Sequence, residues 1–496
     1  MRLSAWRNLD RGRRRATARG AATKATITSS SSASTPSRIA VVTFHDRAAL
    51  DAAFRHALDW LDGLDDMRVG ATASLDELKK RFDVPLTADG VAADRVIDEL
   101  ADAARDGLHA SSGGRFFAWV IGGTLPAAIA ADWLTTAWDQ NAPHFSTSPA
   151  AAAAEEVAGG WLKDVLGLPA SASFALVTGS QMAHVTCLAA ARHHLLAQRG
   201  WDVETRGLQG APPIRILTSD QRHGSIDRAI RFLGLGTAHI EILPLTETDR
   251  LDASGLEEAL RGRDEPAIVL LQAGDINTGA FDDFNTLIPI ARRHGAWVHV
   301  DGAFGLWAAA SPRYAHLLDG AGTADSWVTD GHKWLNVPFD CAYAFIARPD
   351  AHYASMTHRA SYLTHHAVAR DAGDWTPEWS RRARAFPTYA VLRALGRNGL
   401  ADLIERSCRH AFEIVTRIGA LPGAELLSVP IINQGLVGFH ERTDEVITAI
   451  NATGEALFSG TTWHGRRAMR VSVCSWRTSD ADVDRVVNAA ARVLHT

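Results

Sequence analysis

The sequence predicts an α/β protein, a mostly parallel sheet flanked by helices with a smaller C-terminal α+β domain. Three observations carry this. In the middle of the chain, short apolar runs alternate with stretches of helical apolar spacing. The runs are nearly continuous in apolar residues, as strands buried on both faces are, and do not alternate polar with apolar. After roughly residue 390 the pattern changes to a long helix, two short strands and a closing helix. At 496 residues the chain is too long for one simple core. The expected organisation is a basic tail (1–40), an N-terminal helical segment (41–165), a large α/β domain (166–390) and the small domain (391–496).

Residues 1 to about 40 combine Arg7, Arg11, Arg13, Arg14, Arg15 and Arg19 with a Ser/Thr/Ala tract from Thr26 to Ser37. That composition builds no core and is expected to be a disordered, dispensable tail or an over-extended start; it also has the texture of an organelle transit peptide. Helical spacing follows at Leu50 to Leu61, Ala92 to Leu108, Ala127 to Trp138 and Ala150 to Leu166, the last stopped by Gly167-Leu-Pro169. Strands are then expected at Phe174–Thr178, Ile214–Ser219, Ile240–Leu243, Ala267–Gln272, Trp297–Asp301, Trp327–Thr329 and Ala342–Ala347. The helices between them are Gln181–Gln198, Gly224–Gly234, Ala253–Arg261 and Asn285–Gly295. The small domain reads as a helix over Leu400–Ile418, strands at Ile431–Phe439 and Met469–Cys474, and a helix over Ala481–Leu494.

The net charge of −5 argues against a nucleic-acid surface, and no apolar stretch has the length of a membrane span. Four scattered cysteines with no CxxC pair fit a reducing compartment, the cytoplasm, and provide neither a disulfide framework nor a metal site.

Lysine is scarce. The only five are Lys24, Lys79, Lys80, Lys163 and Lys333, and Arg supplies almost all other positive charge. Arg cannot form an imine, whereas a desolvated Lys can lose its proton and attack an aldehyde. Lys333 lies in Asp325-Ser-Trp-Val-Thr-Asp-Gly-His-Lys-Trp-Leu-Asn336, an apolar run that breaks at Asp330-Gly331 and presents His332 and Lys333 at a sheet edge. Asp301 ends the strand before Gly302-Ala303, where ligands of open α/β sheets are met. A carboxylate there can pair with the ring nitrogen of pyridoxal phosphate, and Ala303 is small enough to lie against a flat ring; the plainer reading of Asp301 is a turn cap. His223 follows another strand and is placed either to stack on such a ring and move a proton or to cap the helix starting near Ser225. Gly179 and Ser180 sit between a strand and a helix, as a phosphate-binding turn or as an ordinary N-cap.

The order of these groups resembles the group II pyridoxal-phosphate-dependent decarboxylases, of the aromatic-L-amino-acid and glutamate decarboxylase type. Trp297-Val-His-Val-Asp-Gly-Ala-Phe-Gly305 and Asp325 to Pro338 carry the resemblance, with support from Ser219–His223 and Gln272–Asp282. Weaker echoes are Arg115–Trp119, Ser380–Arg384 and Met469-Arg470. The resemblance implies fold type I, pyridoxal 5'-phosphate, an amino-acid substrate, and a homodimer with active sites at the interface. It makes Lys333 the imine lysine, Asp301 the ring-nitrogen partner and His223 the ring stacker. Gly179, Ser180 and His332 become phosphate or positioning groups. Asn277 lies at the cofactor's edge, and Trp119 and Val120 match a substrate-pocket segment.

Two features depart from that pattern. The phosphate turn reads Ser180-Gln-Met182 where Ser-Glu-Ala or Thr-Glu-Ala is usual. The stretch Leu363 to Thr388 has no tyrosine, the residue that protonates Cα in many members, and offers His365, His366, Arg370, Asp371 and Asp374. The leading expectation is an L-amino-acid carboxy-lyase working through the Lys333 imine. The alternatives are decarboxylation coupled to oxidative deamination, or transamination, on the same scaffold, and a non-catalytic cofactor-binding scaffold.

Overall fold

The computed structural model describes residues 47–358 and 369–495. The basic tail, and His365 and His366 of the tyrosine-free stretch, lie outside them. Five helices come first: α1 (Ala48–Gly63), α2 (Leu75–Phe82), α3 (Ala93–Ala104), α4 (Pro126–Trp138) and α5 (Pro149–Val165). Helix α2 has no counterpart in the sequence reading because none of its residues is buried, so it has no apolar stripe to detect. Its signal is local instead: Ser74 and Glu77 form a reciprocal capping box.

The large sheet is built from β1 (Ser173–Val177), β2 (Arg215–Thr218), β3 (Ile240–Ile242), β4 (Ala267–Gln272), β5 (Trp297–Asp301), β6 (Ser326–Asp330) and β7 (Ala342–Ile346). Its order is β1-β7-β6-β5-β4-β2-β3. Strand β7 runs antiparallel to both neighbours; the remaining pairs are parallel. Between the strands lie α6 (Ser180–Ala197), α7 (Val203–Arg206), α8 (Gly224–Phe232), α9 (Ala253–Leu260) and α10 (Phe284–Arg293), and α11 (Pro349–Met356) follows β7. Two apolar clusters, one on each face of this sheet, account for the continuous apolar runs of its strands. Trp297, Trp307, Trp327 and Trp334 are fully buried there.

Helix α12 (Ala385–Gly419) joins the large sheet to the small one. It is broken at Gly396, whose φ of +57° a side-chain-bearing residue rarely adopts. The expected helix over Leu400–Ile418 is the part after this break. The small sheet has four antiparallel strands in the order β10-β11-β9-β8: β8 (Glu425–Ser428), β9 (Gln434–Gly438), β10 (Ser459–Trp463) and β11 (Arg466–Ser472). Only the two inner strands were expected. The edge strands are partly exposed, and Gly460, Thr461 and Thr462 give β10 little apolar character. Helices α13 (Thr443–Thr453) and α14 (Asp480–His495) cover one face. Among the described residues no helix is long and apolar enough to cross a membrane.

Candidate active site

Parallel strands deliver their C-terminal residues to one edge of the sheet. Asp301 ends β5, Asp330 ends β6, and His223 follows β2 as the N-cap of α8. Lys333 comes three residues after Asp330, and its ammonium lies 3.0 Å from the Asp330 carboxylate. The Lys333 side chain is about one-fifth exposed (19%) and Asp330 is buried (3%), so the amine is open to a ligand while its counter-ion is not. The opposite oxygen of Asp330 accepts the Ser180 N–H at 2.7 Å. One carboxylate thus joins Lys333 to the first residue of α6. Burial pushes the Asp330 pKa up, but Lys333, His332 and the Ser180 contact outweigh it and leave the group below its ordinary value.

This arrangement modifies the phosphate-turn expectation for Gly179 and Ser180. The Ser180 N–H already serves Asp330, whereas the Ser180 hydroxyl is buried with no partner among the described residues. It stands at the positive end of α6, where an anion is favoured. His332 stacks on Phe339, with ring centroids 4.3 Å apart, and its Nδ1 accepts the Cys341 N–H.

Asp301 has one oxygen tied to the Ala303 N–H at 3.1 Å and the other 3.5 Å from His184 Nε2. Desolvation raises its pKa, yet His184, His223 and Lys333 together hold it well below the usual carboxylate range. It is an ionised carboxylate at the C-terminal end of β5. His223 takes the helix-capping place. Its Nδ1 accepts the Ser225 N–H as a helix cap, and the charges of Asp301, Lys333 and Arg470 act on the ring. Desolvation is the largest cause of its lowered pKa, so the imidazole is neutral near pH 7 with its proton on Nε2.

The segment from Trp119 packs against the Lys333 loop. A Cβ on Gly122 would come within 1.8 Å of the Lys333 carbonyl oxygen, so only glycine allows this approach. Asn336 accepts the Gly123 N–H at 2.9 Å and locks the two segments together. Trp119 and Val120 both hold positive φ, 55° and 57°; Val120 is buried and the Trp119 side chain is half exposed. Asn277 reaches the small sheet, accepting the Thr461 hydroxyl at 2.9 Å.

Three charged groups that the tyrosine-free stretch offers are engaged by the fold itself. Arg370 lies against the Phe174 ring and pairs with buried Glu155 at 3.3 Å. Asp371 accepts the Phe145 N–H, and Asp374 accepts the Thr357 hydroxyl. They anchor the base of the stretch, because a buried charge in an apolar setting must be paired. Sequence reasoning missed Asp330 and His184. Asp330 is detectable as a carboxylate ending the strand one helical turn before the lysine. His184 requires knowing which face of α6 meets β5.

The groups present fit pyridoxal 5'-phosphate. They are an accessible amine, an ionised carboxylate for a ring nitrogen, a neutral imidazole, and a hydroxyl at a helix N-terminus with no partner among the described residues. Residues 76–442 match the family described as pyridoxal-dependent decarboxylase conserved domain. The chain is 26% identical to cysteine sulfinic acid decarboxylase of Homo sapiens over 84% of its own length and 89% of that protein's. It is 28% identical to 4-hydroxyphenylacetaldehyde synthase of Rhodiola rosea over 69% and 73% of the two chains. The crystal structure of Oryza sativa TDC with PLP and tryptamine has the same fold, with a TM-score of 0.85 and 24% identity over 92% of this chain and 99% of that one.

Proposed function

Since this chain belongs to the pyridoxal-dependent decarboxylase family and is a PLP-dependent amino-acid decarboxylase, we propose that Lys333 holds the cofactor covalently while the α-carboxylate of an L-amino acid leaves as CO2. The observation that carries this assignment is the pairing of the accessible Lys333 amine with buried Asp330, at the edge where Asp301 also ends its strand. When bound, the pyridoxal ring supplies an electron sink for the pair left on Cα as its carboxylate departs. Asp301, ionised and fixed by Ala303, keeps a proton on the ring nitrogen. The Ser180 hydroxyl and the N-terminus of α6 bind the phosphate, with Gly179 and His332 beside them. His223 would stack on the ring, and its neutral imidazole would supply a proton donor at Nε2. Trp119, half exposed, and Val120, buried, would contribute to the substrate pocket through the segment that packs on the Lys333 loop.

Exposed apolar side chains on α1 (Leu50, Phe54) and α4 (Trp133, Leu134, Trp138) support a homodimer that covers them. The test of the function is a screen of the holo-protein against the common L-amino acids for CO2 release. CO2 from at least one is expected; none from any would overturn it.

A second reading concerns the product. No tyrosine occurs between Leu363 and Thr388, which supports incomplete protonation at Cα. The carbonyl product and ammonia then form along with CO2, with dioxygen as the electron acceptor. The name of the Rhodiola rosea relative is in keeping with such an outcome.

A further inference from the structure

Behind Asp301, on the side away from the cleft, runs a chain of buried polar side chains with no role in the reaction derived above. His184 on α6 places Nε2 3.5 Å from Asp301, and its Nδ1 lies 2.9 Å from His299 Nε2. His299, in the middle of β5, places Nδ1 2.8 Å from the Ser326 hydroxyl at the start of β6. The Trp297 indole donates to the same hydroxyl at 2.9 Å. His184, His299 and Ser326 are fully buried, and His184 Nε2 has no hydrogen-bonding partner among the described residues. Its one polar neighbour in line is the Asp301 carboxylate.

Donor chemistry sets the direction of this chain. An indole N–H only donates, so the Ser326 oxygen accepts from Trp297. The second lone pair of that oxygen can still accept from His299, so the assignment of the Ser326 proton to His299 Nδ1, 2.8 Å away, is set by the far end of the chain, where the Asp301 carboxylate requires a donor. Burial pushes the His299 pKa down to about 3, so the ring is neutral and carries its single proton on Nε2. That proton faces His184 Nδ1, which leaves the His184 proton on Nε2, facing Asp301. The reverse polarity would turn a bare Nε2 lone pair toward an ionised carboxylate. The Cys187 thiol near Ser326 stays protonated because burial raises its pKa, and it lies near the Trp327 and Phe345 carbonyls, so it adds no charge.

We infer that His184, His299 and Ser326 form a directional relay, ending at Trp297, that aims one N–H at Asp301 and keeps its carboxylate ionised and oriented toward the cofactor. The inference rests on the placement of Asp301 at the ring nitrogen. All three are positioning residues, since none faces the cleft, and His299 is separated from Asp301 by His184. A relay is needed here because among the described residues Asp301 receives a single backbone donor, from Ala303, and desolvation opposes its charge.

The test compares equilibrium binding of pyridoxal phosphate to the apoprotein, read by fluorescence quenching, with kcat and KM. The variants are H184F, His184→Gln, H299F, Asp301→Asn and the H184F/Asp301→Asn pair. H184F and H299F are expected to weaken cofactor binding and lower kcat by about 10-fold to 100-fold, as loss of an orienting partner typically does, with KM within about threefold. His184→Gln, which keeps a donor, should recover most of that loss. In the Asp301→Asn background H184F should cost no more than about threefold further, because the two act as a unit. Parental binding and kcat in Asp301→Asn would overturn the placement of Asp301 and the relay with it. A loss in Asp301→Asn with parental H184F and H299F would overturn the relay alone, as would fully multiplicative losses in the pair. Should H184F fail to fold, H299F and His184→Gln decide the matter in the same assays.

Discussion

Lys333 and Asp330 form an ion pair, 3.0 Å apart, in which the buried partner is the acid and the accessible partner is the amine. Asp330→Asn leaves the lysine charge without its counter-ion while keeping an oxygen for Ser180 N–H. Removing one partner of a buried pair costs about 3–5 kcal/mol, and the one-fifth exposure of Lys333 puts the expected loss near the lower end. Denaturant midpoints of the apoprotein check this, and adding Lys333→Met should recover part of the loss. The sign with pH follows from the depressed Asp330 pKa. Its contribution is present above the unfolded carboxylate value and is lost as pH falls through the folded one.

Glu155 anchors the base of the stretch that follows residue 368. It pairs with Arg381 at 2.6 Å and Arg370 at 3.3 Å, and Arg381 is wholly buried. Glu155→Gln should destabilise the protein by about 3 kcal/mol, since two guanidiniums lose their charge partner. A change below about 1 kcal/mol in chemical denaturation would show that the carbonyls of Ala142 and Leu176 suffice to hold Arg381.

Asp282 provides a pH signature of opposite sign. Burial raises its pKa to about 6, although the N–H groups of Leu251 and Gln272 donate to it. A raised carboxylate pKa means that the folded state binds the proton more tightly, so this group's contribution falls as pH rises from about 4 to 6. Between pH 4.5 and 6.5 the parent should lose about 1–2 kcal/mol more stability than Asp282→Asn. Parallel stability curves would contradict the shift.

The sheet and the edge that carries Asp301 and Lys333 were legible in the sequence for local reasons. The strands of a doubly covered sheet are apolar throughout, and Asp301 and Lys333 follow such runs directly. What escaped depends on relations between distant segments. His299 meets Ser326 because β5 and β6 pair in parallel with those two residues in register, and His184 reaches Asp301 across the packing of α6 on that sheet. A histidine in the middle of Trp297-Val-His-Val-Asp301 was itself a signal, since a polar ring inside an apolar strand must find a partner. Strands β8 and β10 were missed because edge strands need little apolar surface, and the anchoring of Arg370, Asp371 and Asp374 was not legible because burial of a charge cannot be seen in composition.

The product should betray the absent loop tyrosine. On a substrate that releases CO2, ammonia and a carbonyl compound are expected as a measurable fraction beside the amine. His365→Ala and His366→Ala test whether either imidazole supplies the Cα proton, by raising that fraction. Amine and CO2 in strict equality, unchanged in both variants, would place the proton donor elsewhere.

The central claim is that Lys333 carries the cofactor. Borohydride reduction of the holo-protein followed by peptide mapping tests it directly, because the other four lysines, Lys24, Lys79, Lys80 and Lys163, are distributed over the first third of the chain. The pyridoxyl label is expected on the peptide containing His332-Lys333-Trp334, and none is expected in Lys333→Ala. A label on any of the other four, or full turnover by Lys333→Ala, would contradict the account.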